Sequence, residues 1–158
     1  MKISKKDVRN AWMGAAAALL MSSACAATNS AVAAPAAAMP AAQMSAATLS
    51  GAQQVPANPS VASGKSTIMI GSDKTLTGAI EVMGMTPTMA HIHEAAKGAN
   101  GPVIVPFAKT GESTFAPAPG VKLTDAQYAS YLAGKLYINV HSAAYPGGEI
   151  RLQLTPAK

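Results

Sequence analysis

One cysteine, Cys25, is all that 158 residues contain, so no disulfide can form within the chain and stability must come from the packing of apolar faces. Charge is scarce as well. Asp, Glu, Lys and Arg make up 12% of the sequence, and of the net +5 the first ten residues supply +3 through Lys2, Lys5, Lys6 and Arg9 against Asp7. The remaining +2 is too little for a basic, nucleic-acid-binding surface. No G-x-S-x-G elbow, phosphate loop or carboxylate pair at a strand end occurs, which leaves hydrolase and nucleotide chemistry without residues to carry it. The main apolar run of the amino-terminal region, Ala11 to Met21, is too short to span a bilayer.

Alanine is plentiful but unevenly placed: 18 of 35 alanines lie in the first 47 residues. The front of the chain reads as an export signal, residues 1–26, with a basic start, the apolar Ala11 to Met21 run and small residues from Ser22 to Ala27 for cleavage. Ala24-Cys25-Ala26 fits the general A-x-A cleavage pattern. The alternative is a lipoprotein anchored through Cys25, although the position three before it is Ser22 rather than Leu. Either way, the expectation is an exported protein, periplasmic or extracellular, with no transmembrane segment after signal removal. Residues 27–45, rich in Ala and Pro and free of charge, have neither helical nor strand periodicity and read as a flexible spacer. That leaves residues 46–158 as one domain of common size.

This domain reads as short strands and one helix. Ser60 to Gly71 and Lys74 to Met83 form an expected hairpin around Gly71-Ser72-Asp73, with Leu76, Ile80 and Val82 on one parity. Thr88 to His93 and Pro102 to Phe107 are two more strands, separated by a loop whose Gly98, Asn100 and Gly101 suit positive φ. Thr124 and Gln127 make a capping box, Tyr128 and Leu132 share a face, and Gly134 suits the C-terminal cap, which predicts about three turns of helix near 124–133. Leu136 to His141 and Gly148 to Leu154 alternate strictly on either side of Tyr145-Pro146-Gly147-Gly148. The pattern implies an all-β fold, a sandwich or barrel, with one short helix.

The chain has three histidines, His91, His93 and His141. Strand alternation sends Ala90 and Ile92 to the core side and His91 and His93 to the other, about 7 Å apart. The apolar parity of Leu136, Ile138 and Val140 likewise puts Tyr137, Asn139 and His141 on the non-core face. Three imidazoles converging from two strands suit copper or zinc, with metal–nitrogen distances of about 2.0 Å. The bland alternative is that a polar strand face merely tolerates histidine. A symmetric hairpin at Pro146 pairs Glu149 with His141, Arg151 with Asn139 and Gln153 with Tyr137, so Glu149 is a candidate to orient the His141 ring, or an ordinary cross-strand charge. Met89 shares parity with His91 and His93 and is a candidate sulfur ligand, or packing material. Glu94 reads equally as a loop charge or a general base.

Ala90-His91-Ile92-His93 with Gly98-Ala99-Asn100-Gly101-Pro102-Val103, and Leu136-Tyr137-Ile138-Asn139-Val140-His141 with Pro146-Gly147-Gly148-Glu149-Ile150-Arg151, resemble the two signature stretches of the CHRD (chordin-type) family. Leu49-Ser50-Gly51-Ala52-Gln53-Gln54-Val55-Pro56 resembles its opening motif. The resemblance covers nearly all of 46–155 and implies an exported Greek-key β-sandwich or barrel, of immunoglobulin-like or superoxide-dismutase-like type. Glu94-Ala95-Ala96-Lys97 departs from the Gly and Pro more usual in the family after the second histidine.

A looser likeness links the H-x-H-E run and the later V-H strand end to copper-zinc superoxide dismutase. It implies copper ligation by His91, His93 and His141 and offers Arg151 as a guiding cation, but a fourth bridging histidine, a zinc cluster and a disulfide are lacking. Three readings follow. One is a non-catalytic exported module binding copper or zinc. Another is a copper-dependent redox enzyme. The third is an interaction or adhesion sandwich with no metal, whose partner would be an extracellular or envelope protein.

Overall fold

The structure, a computed structural model, describes residues 47–156. The expected signal (1–26), the spacer (27–45) and Cys25 lie outside the described residues. Eleven strands follow in chain order: β1 (Ala47–Ser50), β2 (Ser63–Ser66), β3 (Met69–Ile70), β4 (Leu76–Thr77), β5 (Ile80–Met83), β6 (Pro87–Glu94), β7 (Val103–Pro106), β8 (Ala108–Lys109), β9 (Thr114–Ala116), β10 (Leu136–Ser142) and β11 (Ile150–Gln153), with the helix α1 (Asp125–Leu132) before β10. Nine strands make one antiparallel sheet in the order β7-β6-β10-β11-β1-β2-β5-β9-β8, and β3 and β4 form a small sheet of their own. The two edge strands of the large sheet are one stretch of chain: β7 continues through Phe107, whose amide donates to the Ala90 carbonyl at 3.0 Å, into β8. The sheet thereby curls nearly into a barrel. The all-β expectation holds.

Alternation builds the interior. A row of mutually paired residues, Val105, Ile92, Ile138 and Leu152, crosses β7, β6, β10 and β11, and all four are buried. Leu49, Ile80, Val82, Phe115, Leu136, Val140 and Ile150 are among the core residues around it. Burial of aliphatic side chains of this size stabilises by about 1.5–3 kcal/mol each, which is how a domain without a disulfide is held. Among the described residues no helix is long and apolar enough to cross a membrane.

Several expectations need correction. The long hairpin of residues 60–83 exists, but it is interrupted: β2 pairs with β5 and β3 with β4, because Thr67 and Ala79 exchange bonds through the Thr67 hydroxyl and break the regular ladder. Strands β1, β8 and β9 were not expected; they are two to four residues long and too short to show a period. The Thr124–Gln127 capping box forms in both directions and Gly134 has φ +67, yet the helix has eight residues, two turns rather than three. Its inward residues are Tyr128 and Tyr131, while Leu132 is 56% exposed. So short a helix docks through one i, i+3 pair. In the loop after β6 only Gly98 takes positive φ. Neither Asn100 nor Gly101 does.

Candidate metal centre

The face of β6, β10 and β11 turned away from the core carries three rows of paired residues. Pro106, His91, Asn139, Arg151 and Ser50 form one row across β7, β6, β10, β11 and β1. Val103, His93, Tyr137 and Gln153 form the next, and Met89 with His141 the third. The register expected from the Pro146 hairpin is the observed one for Arg151 and Gln153.

This polar face is covered. Residues 95–101 fold back over it, and five bonds from this face tie them down: Arg151 donates to the Ala99 carbonyl at 2.9 Å and to Asn100 Oδ1 at 3.0 Å, Gln153 Nε2 to the Ala95 carbonyl at 3.2 Å, His93 Nδ1 to the Gly101 carbonyl at 2.9 Å, and the Gly101 amide donates to the Tyr137 hydroxyl at 3.1 Å. From the other side, Gln54 Nε2 donates to Asn139 Oδ1 at 2.7 Å. Gly101 is required by closeness, since a Cβ there would lie 1.8 Å from the Glu94 carbonyl oxygen.

Under this cover the three histidines meet. Ring centroids are 5.1 Å apart for His91 and His141, 5.8 Å for His91 and His93, and 6.3 Å for His93 and His141. One nitrogen from each ring lies within 4.8 Å of the others. Neighbouring carbonyls fix the tautomers. His93 Nδ1–H donates to Gly101 and His141 Nδ1–H to Pro146 at 2.9 Å, so in each neutral ring Nε2 carries the free lone pair. His93 Nε2 is buried with no hydrogen-bond partner. His141 Nε2 faces His91 Nδ1 at 3.3 Å, which is about the separation of two nitrogens each about 2.0 Å from one ion at a tetrahedral angle. These observations make a cluster of nitrogen donors in which two of the rings, His93 and His141, are held from behind by carbonyls, as metal-ligating imidazoles are.

The electrostatics favour the neutral form of His91 and His93. Burial pushes the His91 imidazolium below its usual range, and the neighbouring His141 and His93 add to this. Burial does the same at His93, opposed by the Gly101 carbonyl and reinforced by His141 and Arg151. Neutral imidazole is the form that binds a metal.

Stacking holds His93 in place. Its ring lies parallel to Tyr137 at 4.9 Å, and the Arg151 guanidinium carbon sits 3.4 Å from the Tyr137 ring centroid. Arg151 is only 2% exposed and so is no guiding cation at the surface; it is a buried strut. Glu149 does not orient His141. Its carboxylate accepts from Ser60 and Ser142, and Pro146 supplies the acceptor for the ring instead. Glu94 takes no part either, because it accepts from Ser130 of the helix. Met89 is opposite His141 in register and 47% exposed. The carbonyls of Gly101 and Pro146 and the Arg151–Tyr137–His93 stack were missed from the sequence. A carbonyl has no residue-type signature, though the glycine and proline of these loops mark where the chain turns back.

The CHRD domain family model matches residues 45–154. Comparison with curated proteins and with solved structures returns no significant match.

Proposed function

The chain belongs to the CHRD domain family, and on that footing we propose that it is an exported, non-catalytic binding module holding one copper or zinc ion through His91, His93 and His141. The observation that carries the proposal is His93 Nε2, a lone pair buried without a partner on a ring whose centroid lies 5.8 and 6.3 Å from those of the other two imidazoles. An unpaired polar atom in such a place costs about 1–3 kcal/mol, and an ion removes that cost. His91 Nδ1 and His141 Nε2 supply the other two donors, the ion taking the place of the proton between them. The ion's own chemistry is Lewis acidity or, for copper, one-electron exchange; the chain's part is to bring three imidazole nitrogens within 4.8 Å of one another.

Metal titration of the purified, chelator-treated protein tests this. One ion per chain is expected, with stabilisation of about 2.7 kcal/mol at a free metal concentration 100 times Kd, read as a rise in melting temperature. His91→Ala and His141→Ala abolish both. Unaltered melting with copper and with zinc would overturn the reading. Export is tested separately, by sequencing the amino terminus of protein from its native compartment.

A further inference from the structure

Three neutral nitrogens accept copper and zinc alike, so the histidines alone do not choose the ion. The strand that bears two of them carries another donor. Met89 lies two residues before His91 on β6 and pairs directly with His141 on β10, so it leaves the sheet on the face that carries both rings. Directly opposed residues of antiparallel strands have Cβ atoms about 4.5–5.5 Å apart, and the three rotatable bonds of methionine span what remains. The other described methionines are placed differently: Met69 pairs with Thr77, Met83 with Ser63, and Met85 falls between strands. Met89 is 47% exposed, as Val103 of the same face is at 48%, whereas Tyr137, Asn139, His141 and Arg151 beside it are buried. The cluster, moreover, contains no carboxylate or thiolate to favour a divalent ion.

We propose that Met89 Sδ is a fourth donor closing the open side of the cluster, and that it makes the site selective for Cu(I) over Zn(II). A thioether is a soft, uncharged ligand. It binds Cu(I) well and adds little to Zn(II), which prefers nitrogen, oxygen and thiolate. His93 and His141 are the buried donors and His91 is half-buried, so an arriving ion meets His91 and Met89 first. The inference rests on the three-histidine reading above.

The test uses the full chain and three variants, Met89→Leu, Met83→Leu and His91→Ala. Cu(I) affinity is measured anaerobically by competition with bicinchoninate, and Zn(II) affinity by competition with a chelating dye. Met89→Leu keeps the volume of an exposed side chain, and circular dichroism confirms its fold. Expected are a loss of tenfold or more in Cu(I) affinity for Met89→Leu, a change within twofold in its Zn(II) affinity, and no change for Met83→Leu. X-ray absorption at the copper edge should show a sulfur neighbour in the parent protein and none in Met89→Leu. Equal Cu(I) affinities, or a shell of nitrogen alone in the parent, overturn the role of Met89 while leaving the histidine site standing. Failure of the parent to bind either ion, or binding that survives His91→Ala, overturns the histidine site and the inference together.

Discussion

Two halves of one sheet obey the same alternation and end in opposite surroundings. On β2 and β5 the residues facing away from the core, Lys65 and its partner Glu81 with Met83 beyond, are exposed. On β10 and β11 the equivalent residues, Tyr137, Asn139, His141 and Arg151, are as buried as the core itself. The first arrangement is what an antiparallel sheet with one wet face normally shows. The second needs a cover, and residues 95–101 provide it. Alternation decides which way a side chain points; the cover decides what solvent it meets, and therefore whether a histidine on that face is a solvated surface residue or a buried one.

The largest effect should come from the strut beneath the cover. Arg151→Met strips donors from Ala99 and Asn100, and in urea denaturation should lower stability by about 3 kcal/mol. Lys65→Met, outward-facing on the open half, should stay within about 0.5 kcal/mol. Similar costs for both would erase the distinction between the halves. Next, Gly101→Ala forces a Cβ against the Glu94 carbonyl and displaces the acceptor of His93, so metal affinity by competition titration should fall about tenfold or more. Retention of full affinity would mean that the cover does not orient the ring. Smaller still, Thr124→Ala removes the helix cap and should lower the melting free energy by about 1 kcal/mol, with metal affinity unaffected, since the helix end bears no ligand.

The smallest effect belongs to the turn between β3 and β4. Asp73 is held at about 2, below its ordinary 3.8, first by the Thr75 hydroxyl, then by the Thr75 amide and by Lys122. Its folded pKa is depressed, so its contribution is complete above about pH 4 and disappears as pH falls through about 2. An NMR titration of the Asp73 carboxyl should show its midpoint there, and Thr75→Val should move it upward. The site on the other half should not register the change.

Much of this was legible in the sequence because β6, β10 and β11 are long enough to show a period. Parity placed all three histidines on one face, and symmetry about Pro146 gave the Arg151–Asn139 and Gln153–Tyr137 pairs. What escaped was whatever depends on a second segment. Arg151 read as a guiding cation, and Glu149 as a group orienting His141 or an ordinary cross-strand charge, because a strand pattern shows the face but not what lies on it. Both turned out buried, one on a tyrosine ring, the other between two serines. Leu132 looked inward because helical spacing alone cannot tell which of two apolar positions meets the core.

The run from β7 through Phe107 into β8 has a colloidal consequence. A sheet whose first and last strands are the same stretch of chain leaves little rim on which another copy could deposit, and the rim along β7 is short and interrupted by Pro106, with Pro102 just before it, neither of which has an amide proton to offer. Fibre growth by strand addition therefore lacks a template here, a useful property for a protein that no disulfide locks shut.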